Sequence, residues 1–243
     1  MKKIKNVLAL LIIKSLDVLG VFQGFRYTVL NLNRILEKNY PIKSVFNFIQ
    51  VGANDGVSFD TLFEFVKKRD VSGILIEPIE EYFRELCSNY STFDNVIKLN
   101  LAVHSIDKEI TVYKVKPEAY IKYPDWVKGI ASVDYEHHKK TNINSKDIIA
   151  KKVKSDTLMN IYVNNLHELK IDYLQIDTEG FDLEVLKMID FKKLKPSIIK
   201  YEHVNLSKND FDQSKAMLRN EGYFVYSDHE DTIAFLTNKV KLW

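Results

Sequence analysis

The sequence predicts an α/β protein: a Rossmann-like, doubly wound, mainly parallel sheet, with a C-terminal antiparallel hairpin and an N-terminal helical extension. Three observations carry this expectation. Short runs of Val, Ile and Leu alternate with amphipathic stretches between Val45 and Asn220, the pattern of strands buried on both faces and joined by helices. The first run, Phe48-Ile49-Gln50-Val51, stops in a loop with glycine at both ends, Gly52-Ala53-Asn54-Asp55-Gly56. Helical spacing follows it, and a strand that turns through glycine into a helix is how open α/β sheets build a nucleotide-type pocket. Finally, nearly every predicted strand ends on glycine or polar residues, where such sheets bind ligands, beyond the carboxyl ends of the strands.

Element by element, residues 45–51 read as strand one and 58–68 as its helix. Residues 73–77 read as strand two, 79–90 as the next helix, 96–103 as strand three and 109–115 as an additional alternating β-element. Residues 116–150 are irregular, with Pro117, Pro124, Trp126, Gly129 and Asp134-Tyr135-Glu136-His137-His138. This stretch reads as an insertion or lid, because long irregular loops in compact domains are usually functional or disordered. Asp156 is a candidate N-cap for the helix that follows. Residues 171–177 read as a buried strand, 182–189 as a helix, 197–201 as a strand ending at Glu202-His203, and 211–220 as a helix with Gly222 just past its end. Residues 223–226 and 232–236 flank a polar turn and read as the closing hairpin.

The 243 residues divide into an N-terminal helical segment, 1–41, ended by Tyr40-Pro41, and one domain over 42–243. A formal charge of +2 with scattered lysines offers no basic face for nucleic acid. The single cysteine, Cys87, excludes an intrachain disulfide framework and a cysteine-rich zinc site and suits a reducing cytoplasm. Met1-Lys2-Lys3-Ile4-Lys5 and the apolar run 7–13 look like the start of a signal peptide, but Lys14 and Asp17 break the run. It is also too short to span a bilayer. The expectation is one or two helices packing on the core, or an interfacial helix or homodimer arm that makes the protein membrane-peripheral.

The strand ends form a list of pocket candidates: Gly52 to Gly56, Glu77, Asn100-Leu101-Ala102, Asp177 with Glu179, and Glu202 with His203. Glu77 follows the glycine loop by about twenty residues, where an acid holds a ribose diol; the alternative is a surface glutamate before Pro78. The loop is Gly-x-x-x-Gly, matching neither the dinucleotide fingerprint nor the phosphate-binding P-loop. A ligand with ribose and no phosphate suits it better, and S-adenosylmethionine is the obvious candidate.

Together, Val51-Gly52-Ala53-Asn54-Asp55-Gly56, Ile76-Glu77-Pro78, Asp156-Thr157-Leu158 and the run from Ile176-Asp177-Thr178-Glu179-Gly180 to Leu186 resemble the FkbM-type class I methyltransferases in order and spacing. The Asp-x-Glu-Gly segment before Leu-Glu-Val-Leu is the specific part. The resemblance implies a Rossmann-like fold, S-adenosylmethionine as methyl donor, and O-methylation of a sugar or polyketide hydroxyl, here a small-molecule or glycan acceptor. It implies that Gly52, Ala53, Asn54, Asp55 and Gly56 cradle the donor, that Glu77 holds the ribose, and that Asn100, Leu101 and Ala102 border the adenine. Asp177 and Glu179 then face the reactive methyl. Gln50 departs from the aspartate frequent at that position, and residues 1–40 and 116–150 lie outside the resemblance.

Such a reaction needs a base for a poor hydroxyl nucleophile. His203 is the first candidate, since imidazole titrates near neutrality, and Asp177 the second; capping or hydrogen-bonded structural roles are the alternatives for both. Glu179 alternatively complements a helix dipole. Asp177, Glu202 and His203 offer a ligand set for a divalent ion, although no metal is expected. His137 and His138 read as surface or lid residues, and Tyr120, Tyr123, Trp126 and Tyr135 as an aromatic wall for a sugar ring or as local packing. Three competing readings are a nicotinamide oxidoreductase, which lacks its fingerprint, a non-catalytic scaffold in polysaccharide assembly, and a nucleic-acid methyltransferase, whose Asn-Pro-Pro-Tyr-type loop is replaced by Asp177-Thr178-Glu179-Gly180.

Overall fold

The computed structural model describes residues 8, 10, 11, 30–105, 108–167 and 169–242. Nearly all of 1–29 lies outside the described residues, and with it the expectations of an interfacial helix or dimer arm. Helix α1 (Leu32–Asn39) starts at Asn31, whose side chain accepts from the Arg34 N–H at 3.0 Å. Its Ile35 and Leu36 are buried, and Asn39 bonds the Lys241 backbone in both directions at 2.9 and 2.7 Å. Among the described residues, no helix is long and apolar enough to cross a membrane.

In chain order the strands are β1 (Val45–Val51), β2 (Asp70–Ile76), β3 (Val96–Leu99), β4 (Ala102–Val103), β5 (Lys108–Val115) and β6 (Ala131–Ser132). They continue with β7 (Ile148–Asp156), β8 (Tyr173–Ile176), β9 (Ile198–Glu202), β10 (Phe224–Asp228) and β11 (Asp231–Phe235). The main sheet runs β10-β11-β9-β8-β1-β2-β3. Pairing is parallel from β3 to β9, and β11 is antiparallel to both neighbours. Strand order reverses between β1 and β8, which opens a crevice at their carboxyl ends.

Period-two alternation splits the sheet's side chains between two cores. Phe46, Phe48 and Leu75 pack with Ile35, Leu36, Phe65 and Leu86 on one face. Ile49, Val51, Ile74 and Ile76 pack with Ile161, Leu186 and Leu218 on the other. The sheet is therefore doubly wound, as the sequence predicts.

Four local departures have physical causes. The helix expected over 58–68 shrinks to α2 (Leu62–Val66). The carboxylate of Asp55 takes the N–H groups of Val57 and Ser58, and that of Asp60 takes Leu62 N–H, each at 2.8 Å; such side-chain capture competes with helix. The single strand expected over 96–103 breaks at Asn100, whose amide donates to the carbonyls of Glu77 and Pro78 at 2.9 and 3.2 Å. The chain then leaves the main sheet for a second one, β4-β7-β5-β6. The irregular stretch 116–150 supplies β6, three 3-10 turns and the short helix His137–Lys140, and its last residues begin β7. Strand β7 is missed because Lys151, Lys152 and Lys154 are exposed and interrupt any apolar run. Asp156 ends that strand, and Thr157 is the N-cap, its hydroxyl accepting from Asn160 N–H at 3.2 Å.

Candidate active site

The crevice between β1 and β8 widens into a cavity of about 730 Å³, closed on one side by the second sheet and the segment before β7. Its first wall is the glycine loop. Gly52 and Ala53 N–H both donate to the Ile76 carbonyl, at 3.0 and 2.9 Å. Gly52 has φ +75, and a Cβ there would lie 1.7 Å from the Asp177 carbonyl oxygen. Only glycine allows the two strand ends to approach this closely.

Asn54, also at positive φ, donates its N–H to Glu77 Oε2 at 2.8 Å, while Ile79 N–H donates to Oε1 at 2.7 Å. Both carboxylate oxygens are thus fixed, with lone pairs left for the cavity that Glu77 lines. Glu77 is buried, which pushes its pKa up to about 7 against the opposing effect of the two N–H donors. Leu101 and Ala102 continue this wall.

Three members of the expected cofactor set do not line the cavity. Asp55 spends its carboxylate on the following turn, and Gly56 packs under α3 (Glu80–Asn89), where a Cβ would come within 2.6 Å of both Leu86 and Tyr90. Asn100 holds the Glu77-Pro78 backbone from behind. Their contribution is to the shape of the wall.

The second wall consists of carboxylates. Asp177 follows β8, its N–H bonded to the Val51 carbonyl at 3.0 Å, and its side chain opens to the cavity. Glu179 adopts φ +54 and is held from the second sheet, where Ser132 Oγ donates to its carbonyl at 2.8 Å. Asn205 Nδ2 donates to Glu179 Oε2 at 3.0 Å and to Glu202 Oε2 at 2.6 Å. One oxygen from each of Asp177, Glu179 and Glu202 lies within 4.8 Å of the other two. Desolvation by the cavity walls, then Glu202 and Glu179, hold the Asp177 pKa well above the carboxylate range, while desolvation and Glu179 push Glu202 up to about 8. Solvent reaches Asp177 through the cavity, so for that group the like charges are the firmer cause.

His203 is not part of this wall. Its ring stacks on Phe211 at 4.5 Å, Nδ1 lies 3.1 Å from Thr232 Oγ1, and its N–H bonds the Glu230 carbonyl at 2.9 Å. Alternation along the end of β9 sends Glu202 to the cavity and its neighbour toward the helix Lys208–Asn220. The set of Asp177, Glu202 and His203 that the sequence offers for a divalent ion therefore does not assemble; Glu179 stands in the histidine's place.

His137 and His138 are not surface residues: both are buried. His137 Nε2 reaches 3.1 Å from Glu179 Oε2, and His138 Nδ1 lies 2.5 Å from the Tyr135 carbonyl. Of the expected aromatic wall, Trp126 lines the cavity, whereas Tyr120 hydroxyl pairs with Tyr82 and Tyr123 hydroxyl with Asp147.

Sequence reasoning missed Asp60. Its Oδ2 accepts from Gln50 Nε2 at 2.7 Å and Gln175 Nε2 at 2.6 Å. Both glutamines interrupt apolar strands facing the crevice, which was the available signal. Gln50 Oε1 is buried and, among the described residues, has no hydrogen bond. Thus a carboxylate does stand at this corner, one side chain behind Gln50.

A family model described as methyltransferase FkbM domain matches residues 50–239. No curated protein matches the chain significantly. Among solved structures, the chain is similar to methyltransferase FkbM from Methylobacillus flagellatus KT, with 15% identity and TM-score 0.47, covering 79% of this chain and 44% of that one. It is also similar to precorrin-6y C5,15-methyltransferase from Geobacter metallireducens GS-15, with 14% identity, TM-score 0.42 and coverage of 84% and 86%. Human methyltransferase 10 domain containing protein is similar at 13% identity, TM-score 0.43, with 86% and 82% covered.

Proposed function

The chain belongs to the FkbM methyltransferase family, and from that premise we propose that it is an S-adenosylmethionine-dependent O-methyltransferase acting on a hydroxyl of a small-molecule or glycan acceptor, most simply a sugar. The observation that carries this reading is one cavity with two unlike walls: a backbone cradle with Glu77 on one side and three converging carboxylates on the other.

The first wall fits the donor. Glu77 is fixed through both oxygens and retains acceptor capacity for a ribose diol. The orphaned Gln50 Oε1, backed by Asp60, would receive the ammonium of the amino-acid end. Bare backbone at Gly52 and Ala53 admits close approach, and Leu101 and Ala102 supply an apolar border. When bound, S-adenosylmethionine supplies an electrophilic methyl group on a sulfonium centre.

The second wall suits a polyol. Asp177, Glu179 and Glu202 would accept hydrogen bonds from neighbouring acceptor hydroxyls and draw off the proton of the one methylated. Trp126 offers a flat apolar face for a sugar ring. Alignment across the cavity, rather than covalent catalysis by the protein, is the principal demand of an in-line methyl displacement.

Calorimetric titration of the full chain with S-adenosylmethionine and with NAD tests the donor. Binding of the first and not the second is expected, and the reverse result would end this reading. A panel of mono- and oligosaccharides with labelled donor then tests the acceptor.

A further inference from the structure

We propose that the Asp177-Glu179-Glu202 cluster binds one hard divalent cation of the Mg2+ or Mn2+ class. The three ligand oxygens lie within 4.8 Å of one another. Ligands about 2.1 Å from an octahedral ion are separated by about 3.0 Å when adjacent and about 4.2 Å when opposite, so small side-chain adjustments bring all three onto one ion. An all-oxygen set of carboxylates selects such ions over softer metals.

Two features distinguish this cluster from an ordinary acidic patch. His137 is 2% exposed, and among the described residues neither of its ring nitrogens has a hydrogen bond. It reaches the cluster from the helix His137–Lys140, with Nε2 3.1 Å from Glu179 Oε2. A buried polar group without a hydrogen bond is costly, and this one stands beside the carboxylate that the ion would take, where a water on the ion would give a ring nitrogen its partner. Moreover, neither cavity lysine is ion-paired to the cluster: Lys200 bonds Asp231 at 2.9 Å and adds only a longer-range attraction to Asp177, and Lys140 donates to the Asn205 carbonyl at 3.0 Å. Asn205 occupies one oxygen of each glutamate. Among the described residues, no hydrogen bond reaches Asp177's carboxylate, Glu179 Oε1 or Glu202 Oε1.

Three protein oxygens leave coordination positions for water or for acceptor hydroxyls. A hydroxyl on the ion would lose its proton more readily, to a carboxylate oxygen of the cluster that the ion leaves free. This role deepens the proposed reaction and rests on it; binding of the ion does not. Asp177, Glu179 and Glu202 are the ligands, and His137 is a positioning residue acting through Glu179.

The test uses the full chain, stripped with chelator and without donor, titrated with Mn2+ and followed by calorimetry and electron paramagnetic resonance of free Mn2+. One saturable Mn2+ per chain, displaced by Mg2+, is expected. Asp177→Asn and Glu202→Gln should each weaken binding at least about tenfold, and His137→Gln by roughly tenfold, with unchanged melting and S-adenosylmethionine affinity as controls for folding. No saturable Mn2+ binding by the parent protein, or binding undiminished in the Asp177→Asn, Glu202→Gln double variant, overturns the site. Should a variant melt early, the parent titration alone decides. Mn2+ binding without S-adenosylmethionine binding would instead sink the methyl-transfer reading and leave the ion site standing.

Discussion

The two walls of the cavity are built by different means. The centre of the first wall comes from residues 51–79, with the β1 turn, Asn54 and Glu77 linked by backbone N–H groups. The opposite wall comes from five separate places: β8, β9, β6, the His137 helix and Asn205. A wall made of backbone is specified by a few residues close in sequence. One made of side chains requires the whole topology to bring it together.

The sharpest way to break this contrast is to alter the walls separately. Glu202→Gln should lower turnover by about 10²- to 10⁴-fold, the range for losing a proton-handling group, and leave S-adenosylmethionine affinity within about twofold. Single-turnover rates and calorimetry on one preparation check both parts. A large loss of donor affinity would show that the walls are not independent.

Gly52→Ala should act in the opposite sense. Its Cβ would meet the Asp177 carbonyl at 1.7 Å from a residue at φ +75, so β1 and β8 must part. A destabilisation of about 2–4 kcal/mol, read by denaturant unfolding, should accompany loss of donor binding. A variant as stable as the parent would mean that the close approach is unnecessary.

These cases also indicate what the sequence makes legible. The parallel sheet was readable because β1, β2, β8 and β9 are nearly uninterrupted apolar runs that end on Gly52, Glu77, Asp177 and Glu202. The second sheet was largely hidden. Strand β7 carries exposed lysines, and β4 reads as a continuation of β3 because the turn at Asn100 depends on distant carbonyls. Asp60 was signalled only indirectly, through Gln50 and Gln175 in otherwise apolar strands, and His137 had no local signal, since the Glu179 it meets lies far along the chain. His203 misled for the opposite reason: it follows a strand end, but its side chain points away from the cavity.

Donor affinity should depend on pH through Glu77. Its folded pKa of about 7 exceeds the ordinary value of 4.5. Below pH 7 the carboxyl carries a proton and loses an acceptor, so affinity should rise about tenfold from pH 6 to pH 8, as calorimetry at both values would measure. Stability of the donor-free protein should change the other way. A raised folded pKa contributes stability that is full below about pH 4.5 and lost as pH rises through 7, by up to about 3 kcal/mol for this group. Flat donor affinity from pH 6 to 8 would remove Glu77 from the ribose site.

The smallest expected effect is the most diagnostic for β9, whose last residue faces the cavity while its neighbour does not. His203→Ala removes a stack on Phe211 and a contact with Thr232 and nothing that lines the cavity. It should destabilise by about 1 kcal/mol and leave turnover within about twofold. The pH profile of turnover should also be unchanged, because this imidazole packs on Phe211 and Thr232 and does not line the cavity. A hundredfold loss of turnover at unchanged stability would place the base on the far side of β9, and the division between the two walls would have to be redrawn there.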